Sequence, residues 1–176
     1  MLHDNNERYG SLTRFFHWVM AVLVLQQFFK FADRINDGEH WLGDTFGPWH
    51  SSIGAVILVT AVLRLLWSVK QKSQRPVNAG LDGRVATAAH RLMYLSMLVM
   101  PFLGALYIHG KGYPVKIFGH ELIAKPATDE VPWALAFGEW HSPFAFLLIF
   151  LVLAHIAGAL YHHFIQKDDV LKRMAG

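Results

Sequence analysis

Long apolar runs separated by polar segments set the pattern of this chain. Four runs, residues 14–32, 49–69, 88–108 and 141–165, are long enough and poor enough in charge to cross a bilayer as helices. The predicted fold is therefore all-α: residues 1–176 as a single domain, an integral membrane four-helix bundle. Two of the intervening segments are long. Residues 33–48 are rich in Gly and Asp, and residues 109–140 carry Pro114, Pro126 and Pro132 as breakers, so both predict a structured cap of short helices. The segment VKQKSQRPVNAGLDGR between the second and third runs reads as a plain connector. Pro101 falls inside the third run, where it predicts a kink, and Gly104 follows about a turn later.

Composition agrees with a lipid environment, at 53% hydrophobic and 16% charged residues. Residues 1–13 are polar and lead into the first run without an apolar core or a small-residue cleavage site, so no cleavable signal is expected. The chain has no cysteine, which removes disulfides, iron–sulfur clusters, thiolate metal sites and covalent haem attachment. Any metal or cofactor has to be held by histidine or carboxylate.

A pI near 9.3 raises nucleic acid as a partner, but the basic residues are sorted by loop rather than gathered in a patch, which argues against it. Eleven of the 16 lie at the N-terminus, around the inner connector and at the C-terminus: Arg8, Arg14, Arg64, Lys70, Lys72, Arg75, Arg84, Arg91, Lys167, Lys172 and Arg173. Five, namely Lys30, Arg34, Lys111, Lys116 and Lys125, lie in or beside the two long loops. That asymmetry predicts a multi-pass protein with both termini cytoplasmic. The acids sort the other way, with Asp33, Asp37, Glu39, Asp44, Glu121, Asp129, Glu130 and Glu139 in the outer loops. Trp41, Trp49, Trp133 and Trp140 suit an interfacial belt.

Histidines in apolar runs are costly unless they face a partner. His141 and His155 are fourteen residues apart on the fourth run. At 3.6 residues per turn they share a face, about 21 Å apart along the axis. His17 starts the first run at the inner side, and His50 starts the second at the outer side. The four sort by depth into an inner pair, His17 with His155, and an outer pair, His50 with His141. A lone membrane histidine is more often a helix-to-helix hydrogen bonder than a ligand. Four whose depths pair off point instead to two b haems in the bundle core, each held by two imidazoles and needing no cysteine. Ligation on both faces of the iron favours electron transfer over oxygen binding.

Arg64 lies fourteen residues after His50 on the same face, at the inner level, and would pair with a haem propionate or snorkel to the interface. Arg14, a turn before His17, is a second propionate candidate. Gly54 and Gly158 would admit a flat macrocycle or serve helix packing. His90 is a reserve ligand that could replace His17, line a nearby pocket or sit at the interface. His162, seven residues past His155, could bind a quinone carbonyl or accept a proton, or lie at the interface. His3, His40, His109 and His120 fall in tails or loops and are expected to be solvated.

The blocks RFFHW, PWHSSIGAVILVTAVLRLLW, AAHRLMYLSMLVMPFLGALY, EWHSPFAFLLIFLVLAHIAGALYHHF and KDDVLKRM resemble the bacterial cytochrome b-561 family across almost the whole chain, specifically in the histidine blocks and weakly in the outer loops. The resemblance implies a four-helix protein of the bacterial inner membrane with two non-covalent b haems. His17 and His155 would hold the cytoplasmic-side haem, and His50 and His141 the periplasmic-side one. It also implies electron transfer between a periplasmic donor and ubiquinone, one family activity being superoxide oxidation with ubiquinone as acceptor. A basic outer funnel would steer that anion, whereas acids outnumber bases eight to five in these outer loops. The alternative is a membrane electron-transfer subunit for a protein donor such as a dehydrogenase or hydrogenase. From a different class, a histidine-lined divalent-metal carrier or a purely structural bundle would lack haem altogether. No carboxylate in the spans accompanies the histidines, which disfavours the carrier.

Overall fold

The computed structural model of the chain describes residues 1–34, 40–75 and 80–176. Asp37 and Glu39 of the first outer loop, and residues 76–79 of the inner connector, lie outside the described residues.

Each apolar run forms a helix: α1 (Ser11–Gln27), α3 (His50–Lys70), α4 (Gly80–Gly110) and α6 (His141–Tyr161). With their flanks, four segments are long and apolar enough to cross a membrane. Met20 and Val24 of α1, Ile57 and Ala61 of α3, Met93 and Met97 of α4, and Leu148 and Leu151 of α6 form one buried layer. Most other large apolar side chains are exposed, among them Val22, Leu66, Phe102 and Phe150. In water such a surface would aggregate; in lipid it is the solvated face. The protein is a membrane helical bundle, and its core sits between two histidine levels.

Boundaries differ from the sequence expectation where polarity and helicity part company. Helix α4 starts at Gly80, well before residue 88, because its first turns are polar helix projecting beyond the apolar span. Asp82 in that first turn complements the N-terminal dipole, and the helix runs unbroken through Pro101. Helix α1 tightens into a 3-10 segment at Phe28–Arg34, and α6 loosens into a π turn at His162–Gln166 that ends on Lys167 in the left-handed region.

The outer cap contains the expected short helices, α2 (Trp41–Phe46) and α5 (Pro132–Gly138). It also contains a β-hairpin that the sequence reading missed, β1 (Val115–Ile117) against β2 (His120–Ile123). Its two-residue turn, Phe118–Gly119, has φ of 49° and 82°, the signature of the primed turns that match strand twist. The Phe118 N–H donates to Ser52 Oγ at 2.8 Å, fixing the hairpin tip to the first turn of α3. Gly110 and Gly138 let α4 and α5 touch backbone to backbone, since a Cβ on either would collide with Leu135 or Tyr107.

At the inner end, a short helix α7 (Val170–Ala175) returns towards the N-terminal segment, where Tyr9 N–H donates to Arg173 C=O. The inner connector is not plain: Gln71 and Arg75 both bond the N-terminal segment. His3 is exposed, as expected, and also tied to Gln71 and stacked on Trp67, while His40 caps α2. His109 belongs to the last turn of α4, with its Nδ1 buried and unpartnered among the described residues.

Candidate functional site

The bundle brings the histidines together in the two pairs that their depths suggest. At the outer level the His50 and His141 ring centroids are 5.9 Å apart. At the inner level those of His17 and His155 are 6.1 Å apart. Imidazole nitrogens bond metals at about 2 Å, so two rings on opposite faces of one iron have centroids about 6 Å apart. Both pairs fit that requirement. His90 lies closer to His155, at 5.1 Å between centroids, which is short for two rings sharing one iron. Among the described residues no three His, Asp or Glu side chains converge as a cage for a bare metal ion. Paired axial ligands suit a planar macrocycle, which supplies the other four bonds itself.

Local contacts brace the outer pair. The Nδ1 of His141 lies 3.0 Å from the Met100 carbonyl oxygen. A carbonyl only accepts, so His141 donates through Nδ1 and keeps its lone pair on Nε2, the arrangement typical of metal-bound histidine. Gly104 makes room for that ring: a Cβ there would stand 3.1 Å from His141 Cε1. On the other side, Gln27 Nε2 donates to the His50 carbonyl at 2.9 Å, bracing the first turn of α3 against α1. Lys30 reaches the same corner, its Nζ 3.2 Å from where a Cβ on Gly47 would lie.

At the inner level, Arg64 turns into the bundle. Its Nη2 lies 3.2 Å from His17 Nδ1, its Nη1 meets Met20 Sδ, and its guanidinium faces the Tyr94 ring at 5.4 Å. This is an inward pose and not a snorkelling one. Arg14 points elsewhere, with its guanidinium beside Gly176 and its Nε buried without a partner among the described residues. Gly158 has open space around it, and Gly54 has only Gln27 Nε2 nearby at 3.9 Å, so neither is filled by helix packing.

His162 sits at the inner end of α6, where its Nδ1 lies 2.6 Å from Asp168 Oδ2. That hydrogen bond, with a second from Val170 N–H, holds the Asp168 carboxyl below the usual carboxylate range. The sequence reading missed Asp168, Gly104 and the Met100 carbonyl. The KDD stretch just past His162 was the one available signal for Asp168; the other two are legible only once α4 and α6 are packed.

Comparison with known proteins adds the following. Residues 8–176 match the family model described as prokaryotic cytochrome b561. Cytochrome b561 homolog 2 of Escherichia coli K12 is 31% identical over 97% of this chain and 92% of its own length. A probable superoxide oxidase, CybB, of Yersinia pestis is 25% identical over 96% of each chain. Cytochrome b561 homolog 1 of E. coli K12 is 30% identical over 52% of this chain and 51% of its own length.

Proposed function

Since the chain belongs to the prokaryotic cytochrome b561 family, whose members are b-haem membrane electron carriers, we propose that it is a dihaem cytochrome of the bacterial inner membrane passing electrons from a periplasmic donor, in first place superoxide, to ubiquinone. The observation that carries this reading is the pair of imidazole couples at opposite ends of one bundle, with centroid separations of 5.9 and 6.1 Å. Bound b haem supplies a one-electron iron couple.

The chain's own residues account for the rest. His50 and His141 would hold the outer macrocycle, and His17 and His155 the inner one, with the apolar layer between them excluding water and ions. Arginine only donates, so the Arg64 contact assigns the His17 proton to Nε2. A His17 that held haem iron would carry its proton on Nδ1 instead, and Arg64 would then be available to a propionate. Arg14 is the weaker propionate partner, because it is turned towards Gly176. Two superoxide ions yield two electrons and leave as dioxygen; with two protons from the inner side, ubiquinone becomes ubiquinol. His162 is the residue to deliver such a proton: its Nδ1 is engaged by Asp168, so a protonated ring presents Nε2–H to a quinone oxygen.

The test uses purified protein in lipid nanodiscs with a soluble ubiquinone analogue and a superoxide-generating system. Quinol should form faster than superoxide dismutes, and added superoxide dismutase should suppress it. Quinol formation no faster than the dismutation background excludes superoxide as donor.

One observation favours a protein donor as the second reading. Asp44, Glu121, Asp129, Glu130 and Glu139 are all exposed on the outer cap, a field that repels superoxide and suits a basic protein face. Lys30, beside the outer pair, is the local counterweight. In either case the orientation, with the cap outside and both termini cytoplasmic, rests on the loop charges.

A further inference from the structure

One cluster outside the histidine levels is built more tightly than a polar tail requires. Asp4, only 3% exposed, accepts from Gly10 N–H at 2.8 Å and Thr13 Oγ1 at 2.6 Å through Oδ1, and from Arg75 Nε at 2.8 Å through Oδ2. Thr13 Oγ1 in turn accepts from Trp67 Nε1 at 2.8 Å. The Asp4 N–H donates to Gln71 Oε1, Gln71 Nε2 bonds His3 Nδ1, and His3 stacks on Trp67. Arg75 also bonds Ser68 Oγ and faces the Tyr9 ring. Gly10 permits the fold-back, since a Cβ there would fall on the backbone of Leu2 and His3.

This network joins α1 to α3, and it does so one turn from the inner site. Thr13 precedes His17 by four residues on α1, while Trp67 and Ser68 follow Arg64 by three and four on α3. These are helical-face spacings, so the joint and the Arg64–His17 contact lie along one seam. A fully satisfied buried polar network holds one arrangement of its parts, and removing one member strands the others.

We propose that Asp4 is a positioning residue for the inner haem: by locking α1 against α3 through Thr13, Trp67 and Arg75, it fixes the rotation and height of His17. The inference rests on the reading of His17 and His155 as inner ligands. It assigns to the N-terminal segment control over one of two otherwise similar redox centres.

The test compares wild type, Asp4→Ala, Asp4→Asn and Thr13→Val as purified full-length proteins by low-temperature electron paramagnetic resonance and potentiometric titration. His17→Ala identifies which signal belongs to the inner haem. Asp4→Ala and Thr13→Val should displace or abolish that signal and its midpoint while the other haem keeps its wild-type values, and Asp4→Asn, which retains an acceptor oxygen, should give a smaller displacement. Lys172→Ala, which breaks an exposed pair with Asp169, should move neither. Thr13→Val removes one hydroxyl at constant shape, so it carries the test if Asp4→Ala fails to fold. Both signals unchanged in Thr13→Val, or both displaced alike, overturns the proposal. A wild type without haem instead sinks the haem reading itself.

Discussion

At Gly104 a single methyl group decides whether the outer site keeps its geometry. A Cβ there would lie 3.1 Å from Cε1 and 3.2 Å from Nδ1 of His141, closer than ordinary packing allows. The ring would be pushed away from the Met100 carbonyl that orients it. Gly104→Ala should therefore lower outer-haem occupancy or shift its absorption band and leave the inner haem unaffected, as measured by optical redox titration. A second residue-scale prediction concerns Asp168. Its carboxyl is held below the ordinary range, so its bond to His162 contributes stability at any pH above about 4, the ordinary value, and loses it as pH falls through the lowered one. Thermal unfolding of Asp168→Asn and wild type should differ above that pH and converge below it. At this scale the sequence was informative about which histidines pair, because depth follows from position along a helix. It was silent on their partners: Met100 and Gly104 reach His141 only through the packing of α4 on α6, and Asp4 meets Gln71 and Arg75 from 67 and 71 residues away.

At the element scale, apolar length made all four spanning helices legible. It could not place the start of α4, whose opening turns are helical but polar, nor find a hairpin of three- and four-residue strands too short for alternation to register. That hairpin is held at its tip by Ser52, two residues past His50. Ser52→Ala leaves the Phe118 N–H without its partner, a loss of about 1 kcal/mol. Hydrogen exchange should quicken at residues 115–123 with both haems retained; unchanged exchange there would show that the latch contributes nothing. The same contact ties the cap to the first turn of α3, the turn that carries His50.

For the whole molecule, four helices long and apolar enough to cross a membrane would leave both ends on one side, and the eleven-to-five division of basic residues predicts that this side is the cytoplasm. Reporter fusions at either end should read as cytoplasmic, whereas fusions in the hairpin turn should read as periplasmic. The bundle has an outer pair whose His141 is oriented by the Met100 carbonyl and an inner pair where Arg64 contacts His17, with one apolar layer between them. The measurement that tests this arrangement most directly is haem per chain in the wild type and in His17→Ala, His50→Ala, His141→Ala and His155→Ala. Two haems in the wild type are predicted, with one lost in each variant, the same one for His50 and His141 and the other for His17 and His155. A wild type without haem, or loss of both haems from each single variant, would contradict the two-level site.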